Sequence, residues 1–171
     1  YDGFTTEAEM LEACRVRGID AIAVSEHDKL CSLSKQSFAT YGIELIQGCE
    51  FTTDRGAHII GLFVAAGLPV GSSAEAIFEH IKEQDGLAVM PHPWKPYAGY
   101  MSVHGESAIL SQFDFIEMVN GGWNSANYRS QIIDLAERYD LLMISSSDSH
   151  RGCQVGMCVT KVNIREKFAI G

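Results

Sequence analysis

Five apolar runs of this sequence carry histidines or carboxylates towards their C-terminal ends. Imidazole and carboxylate ligands together suit Zn, Mn or Fe and need no thiolate. Two or more such ions bridged by a carboxylate can activate water and neutralise the oxygens of a phosphate ester under attack. The runs are IDAIAVSEH with Glu26, His27 and the following Asp28, IELIQGCEF with Glu50, LAVMPHP with His92, FDFIEMVNG with Glu117 and Asn120, and LLMISSSDSH with Asp148 and His150.

These runs alternate with helix-like stretches. Thr6 with Glu9, and Ser72 with Glu75, have capping-box spacing, and Gly18 is placed to end the first helix. Because the strand-like runs are nearly continuously apolar, they predict a parallel α/β sheet covered on both faces. The C-terminal ends of its strands would form one rim, where sites are built. Residues 158–164 (CVTKVNI) are predicted as the last strand, and residues 95–111 as a loop over the site.

His58 begins an apolar run instead of ending one. Asp54, Arg55 and Gly56 between Glu50 and His58 resemble a turn, so we expect the chain to return there and bring His58 to the rim. His80 is predicted on the exposed side of a helix and is left out of the site. His104, in the irregular segment, is a weak candidate.

The composition is that of a globular protein. The 171 residues are 46% apolar, no run is long enough for a membrane helix, and the net charge of -9 disfavours an extended nucleic-acid interface. Five cysteines without a CxxC motif favour reduced thiols and a cytoplasmic location. We therefore expect one domain spanning residues 1–171.

The order of the motifs DGFTT, AIAVSEHD, GCEF, AHIIGLF, MPHP, IEMVN and SSSDSH resembles the PHP (polymerase and histidinol phosphatase) family of metal-dependent phosphoesterases. The resemblance covers nearly the whole chain. It implies a distorted seven-stranded β/α barrel that holds up to three divalent ions, Zn, Mn or Fe. Family members carry an HxH motif in a first strand upstream of Asp2-Gly3, which this sequence lacks, so we expect it to be truncated there and to lack that strand.

The resemblance also implies roles for individual residues. Glu50 resembles a bridging carboxylate, His58 and His92 resemble ligands of one of the bridged ions, and Asp148 of the other. Asp2, His27 and His150 resemble the ligands of a third ion. Catalysis would involve Glu50, Asp148 and His150, while Lys95 and Arg151 are placed to meet a phosphate.

These roles predict hydrolysis of a phosphomonoester or phosphodiester by a metal-bound hydroxide, with a small phosphorylated substrate. Two alternatives stay open: a degenerate, non-catalytic metal-binding or regulatory domain, and a barrel metallohydrolase that acts on amides. A serine nucleophile is disfavoured, because the serines near His150 lack a GxSxG motif. An exposed apolar edge at the missing strand predicts self-association.

Overall fold

A computed structural model describes residues 3–163, and its centre is one mixed sheet of six strands. The strands follow one another across the sheet in sequence order. No helix in the described range is long and apolar enough to cross a membrane. The strands are β1 (Ala21–His27), β2 (Glu44–Thr52), β3 (His58–Leu62), β4 (Leu87–Met90), β5 (Phe115–Asn120) and β6 (Leu142–Ser146).

The helices begin and end at residues that satisfy their terminal backbone groups. Thr6 and Glu9 form the predicted capping box of the first helix, and Gly18 ends it with φ of 64°. The cap of the third helix is Ser73 and not the predicted Ser72, whose hydroxyl donates to the carbonyl of Pro69 instead. The helices are α1 (Glu7–Arg17), α2 (Lys35–Ala39), α3 (Ala74–Lys82), α4 (Tyr100–Val103) and α5 (Arg129–Tyr139), with 3₁₀ turns at Ala108–Gln112, Ala126–Tyr128 and Gly152–Gln154.

The sheet is not parallel throughout, which corrects the sequence-based prediction. β1 pairs parallel with β2, β4 pairs parallel with β5, and β5 pairs parallel with β6. β3 is antiparallel to both of its neighbours, β2 and β4. The segment between β2 and β3 is too short for a parallel crossover, so the chain turns back as a hairpin. Thr52 therefore pairs with His58, and the predicted return at residues 54–56 is confirmed.

The main core lies where α3 packs on the central strands. Ile77, Phe78 and Ile81 of α3 are buried, as the helical spacing predicted, and meet buried residues of β2 and β3 such as Phe51 and Ile59. This rigid layer supports the strand ends on which the histidines lie.

Two further predictions differ from the structure. Residues 158–163 do not form a strand: the hydroxyl of Thr160 instead bonds the amide and carbonyl of Ser145 at 2.8 and 2.9 Å, while Ile164 lies outside the described residues. The stretch 95–111 contains α4 and a 3₁₀ turn, so it is more ordered than a loop. Residues 3–163 provide six of the seven strands expected from the family resemblance.

A candidate metal centre

Glu50 lies at the end of β2, between histidines from both neighbouring strands. The parallel register pairs Glu50 with His27 of β1, and the hairpin returns His58 of β3 to the same end. His92 follows β4 by two residues and is 2% exposed. Three histidines from three strands are thus brought to one carboxylate.

The distances describe a compact cluster. Nδ1 of His58 is 2.8 Å from Oε1 of Glu50, Nε2 of His92 is 3.3 Å from the same oxygen, and Nδ1 of His27 is 3.7 Å from Oε2. The ring of His58 meets those of His27 and His92 edge-on, with centroids 4.9 and 5.4 Å apart. Ligand atoms of His27, Glu50 and His58 all lie within 4.8 Å of one another, which is compatible with one shared ion.

The surroundings of Glu50 favour its ionised form. Burial by itself would raise the pKa of this carboxyl group, but contacts with His58 and His92 and the charge of His27 outweigh burial and hold the pKa well below its usual range. A buried carboxylate stays ionised where hydrogen-bond donors or positive charge lie beside it. Either protonated imidazoles or a divalent cation can provide that charge.

Three of the candidate ligands carry a polar atom without a hydrogen-bond partner. Four buried side-chain atoms within residues 3–163 lack a hydrogen-bond partner, and three of them are Nδ1 of His58, Nδ1 of His92 and Oδ2 of Asp148. His58 is close to Glu50, but its Nδ1–H is not aligned for a hydrogen bond. Buried polar atoms normally have a hydrogen-bond partner, so the lack of one at these three atoms suits side chains that bind an ion.

Asp148 and His150 form a second group beyond β6. Asp148 has φ of 44°, an unusual value for a residue other than glycine, and its carboxylate lies against Gly122, where an added Cβ would be 2.6 Å from Oδ2. Nδ1 of His150 is 3.8 Å from Oδ1 of Asp148 and 2.9 Å from its carbonyl oxygen. Nζ of Lys95 is 3.9 Å from Oδ2 of Asp148.

Asp2, Arg151 and His104 are the remaining candidates from the sequence. Asp2 lies outside the described residues. Arg151 is exposed, and its backbone amide donates to Oε1 of Gln154. His104 is stacked on Tyr100, where burial and then the charge of Arg55 lower its pKa. The structure does not place His104 in either group.

Sequence reasoning gave no role to two carboxylates that hold the strand ends. Asp28 accepts hydrogen bonds from the amide (2.7 Å) and hydroxyl (2.9 Å) of Thr52, which ties the end of β1 to the end of β2. Glu117 is 2% exposed and accepts a bond from the amide of His92 at 2.7 Å. Its position within an apolar run was the one signal that could have indicated a structural function.

Comparisons with known proteins identify related sequences. Residues 125–169 match the PHP_C family model, described as PHP-associated. The chain is 35% identical over 121 residues to the protein MJ1587 of Methanocaldococcus jannaschii, covering 70% of this chain and 68% of that protein.

Two solved structures share the fold. One is a two-domain protein of Bacteroides vulgatus containing a predicted PHP-like metal-dependent phosphoesterase (TM-score 0.66, 24% identity), which matches 90% of this chain but only 50% of its own. The other, from Bifidobacterium adolescentis, is assigned as a metal-dependent phosphoesterase (TM-score 0.73, 16% identity, 94% and 88% coverage). The curled six-stranded sheet is consistent with part of a PHP-type barrel. From the motifs, the fold and these similarities, we conclude that the chain belongs to the PHP family.

Proposed function

We propose that this chain, as a single PHP domain over residues 1–171, hydrolyses a phosphate ester with the help of divalent metal ions. The observation that carries the proposal is Glu50, a buried carboxylate whose oxygens lie 2.8 to 3.7 Å from nitrogens of three imidazoles. Nδ1 of His58 and Nε2 of His92, which both contact Oε1 of Glu50, are chemically suitable donors.

We assign the ligands as follows. Glu50 would bridge two ions, His58 and His92 would bind one of them, and Asp148 would bind the other. Because the donors are nitrogen and oxygen, Zn, Mn and Fe all suit them. A third ion would use His27, His150 and Asp2.

Bound ions would lower the pKa of a coordinated water and neutralise charge on the phosphoryl oxygens. Nζ of Lys95 is 3.9 Å from Oδ2 of the proposed ligand Asp148, and this half-buried amine would bind a phosphate oxygen. His150 is held by the carbonyl of Asp148, so its ring is oriented in advance of substrate binding. The proposal therefore gives Lys95 a substrate-binding function and Glu50, Asp148 and His150 positions at the reacting centre.

The test is hydrolysis by the protein that contains this chain. The protein is loaded with Mn, Zn or Fe(II) and supplied with aryl phosphate monoesters, aryl phosphate diesters and aryl amides. We expect metal-dependent release of phenolate from at least one phosphate ester, and loss of that activity on chelation.

The outcomes separate the alternatives. Release from amides alone would favour an amide hydrolase. Bound metal without turnover of any ester would favour a non-catalytic metal-binding domain. Absence of bound metal after loading would contradict the proposal as a whole.

A further inference from the structure

Glu117 is the one carboxylate in the described structure that is fully buried yet unassigned to a metal. It is 2% exposed, and burial raises its pKa even though several hydrogen bonds act against this. Burying a carboxyl group is unfavourable unless hydrogen bonds compensate for the lost water. The bonds that Glu117 accepts therefore indicate what it does.

These bonds come from three different segments of the rim. Oε2 accepts from the backbone amide of His92 and from Nδ2 of Asn120, both at 2.7 Å, and Oε1 accepts from the hydroxyl of Ser146. His92 follows β4, while Asn120 and Ser146 are the last residues of β5 and β6. Glu117 thus joins the chain that carries His92 to the chain that leads into Asp148.

The bond to His92 holds a strained backbone. His92 has φ of 29°, a value that residues with a Cβ rarely adopt. Its amide lies beyond the end of β4, where it bonds the Glu117 carboxylate instead of a strand carbonyl. Since Nε2 of His92 is 3.3 Å from Glu50, the backbone that Glu117 fixes sets the position of a proposed ligand.

A second connection runs through Asn120 to Asp148. The amide of Gly122 donates to Oδ1 of Asn120 at 2.9 Å, so the orientation of the Asn120 side chain is fixed with its NH₂ group towards Glu117. Gly122 in turn lies against the carboxylate of Asp148. Ser146 is two residues before Asp148 on the same segment.

A β-bulge makes this arrangement possible. In a regular strand, residues three apart point to opposite faces, so Glu117 and Asn120 would not meet. The β5–β6 register shifts between Glu117 and Val119, and both Glu117 and Asn120 are buried while Val119 is exposed. Such a bulge re-aims a side chain beside a site.

From these contacts we propose that Glu117 is a positioning residue, which fixes the proposed ligands His92 and Asp148 by hydrogen bonds and does not itself bind metal. The expected effect of Glu117 on metal binding rests on the proposed function. The hydrogen bonds by which Glu117 fixes the backbone at His92 do not depend on that proposal. Oε2 must be an acceptor, because its two partners, the amide of His92 and the NH₂ group of Asn120, can only donate. The hydroxyl of Ser146, at Oε1, can either donate or accept. A neutral glutamine can therefore replace Glu117.

The test compares Glu117→Ala with Glu117→Gln. A matched control is Asp114→Ala, because Oδ2 of Asp114 accepts from the amide of Ala88 at 2.7 Å at the other end of the same strand pair. The first measurement is amide hydrogen exchange of His92 in metal-free protein. We expect exchange in Glu117→Ala to be at least about tenfold faster than in wild type, with little change in Glu117→Gln or Asp114→Ala.

The second measurement is the dissociation constant for Mn or Zn. Partners that orient metal ligands affect affinity by about 10–100-fold, so we expect a loss of this size in Glu117→Ala and recovery in Glu117→Gln. If Glu117→Ala does not fold, Asn120→Ala removes one connection, and we expect faster exchange at the Gly122 amide together with weaker metal binding.

An unchanged His92 exchange rate in folded Glu117→Ala, or an unchanged Gly122 rate in Asn120→Ala, would overturn the inference. So would a loss of metal affinity in Asp114→Ala equal to that in Glu117→Ala. Wild-type protein that binds no metal would refute the proposed function instead, and the exchange experiment would still decide the function of Glu117.

Discussion

Glu50 is the residue on which the proposed metal centre depends, because His27, His58 and His92 all contact its carboxylate. We predict that Glu50→Gln removes the charge that balances the bound ions while preserving shape. Metal affinity should fall by more than about 100-fold, beyond the range typical of partners that only orient ligands. Metal analysis after gel filtration and ester hydrolysis would both measure the loss.

The control for that experiment is Glu44→Gln, at the exposed start of the same strand. It should keep its metal and its rate. Equal metal content in Glu50→Gln and Glu44→Gln would exclude the bridging function. Glu117 would be unsuitable as a neutral control, because it accepts a hydrogen bond from the amide of His92.

Cys49, next to Glu50, allows a prediction about reactivity. The residue is fully buried, and burial, with the negative charges of Asp28 and Glu50, raises the pKa of its thiol to about 12. Since the thiolate is the nucleophile, Cys49 should resist alkylation near pH 8.5. We expect iodoacetamide to label the exposed Cys153 under these conditions and to label Cys49 only after unfolding, as mass spectrometry of peptides would show. Labelling of Cys49 as fast in folded as in urea-unfolded protein would contradict this.

At the scale of single residues, the sequence indicated a site residue where a histidine or carboxylate stood near the end of an apolar run. His27, Glu50 and His92 stand at or just beyond strand ends, and the turn residues before His58 indicated its return. Glu117 could not be recognised, because its function depends on a bulge at Met118, and a bulge leaves no regular periodicity in the sequence.

Among the elements, the turn after β4 is packed closely against its own backbone. A Cβ on Gly99 would lie 2.4 Å from the carbonyl oxygen of Pro93 and 2.6 Å from that of His92. We predict that Gly99→Ala destabilises the protein by about 1–3 kcal/mol, the usual range for a backbone clash that must be relieved, and displaces Lys95. Urea denaturation and the KM for a phosphate ester would report the two effects.

Gly67→Ala is the matched control, because a Cβ added at Gly67 would have no atom within 4 Å and the backbone there is outside the left-handed region. Its stability should stay within about 0.5 kcal/mol of wild type. A similar loss in both variants would show that the general cost of replacing a loop glycine, and not the close approach at Gly99, determines the effect.

The direction of strands was harder to predict than their presence. All six strands were expected as apolar runs, but a buried antiparallel strand such as β3 has the same composition as a parallel one. The length of the connection distinguishes them, and the turn between Glu50 and His58 already indicated the hairpin. The predicted strand at 158–163 failed because its residues are mostly exposed and bond Ser145 through a side chain.

For the molecule as a whole, the two outer strands of the described sheet bear on association between chains. β1 and β6 are the two edges, and β6 exposes Leu142 by 63% and Met143 by 46%. Exposed apolar edges favour association between chains. We predict that the 171-residue chain by itself self-associates at micromolar concentration, and that Leu142→Lys with Met143→Lys reduces this, as light scattering after gel filtration would measure. A monomeric wild-type chain at high concentration would contradict the prediction.

The hairpin of β2 and β3 has a consequence for how the protein acquires its metal during folding. Glu50 and His58 are only eight residues apart in the chain, whereas His92 and Asp148 are far downstream. A hairpin can form in about 1–10 μs, long before distant strands pair. An ion captured by this pair would stabilise a partly folded state, so excess metal should accelerate refolding and not merely slow unfolding. The supply of metal while the chain is being synthesised would then affect how quickly the domain reaches its native state.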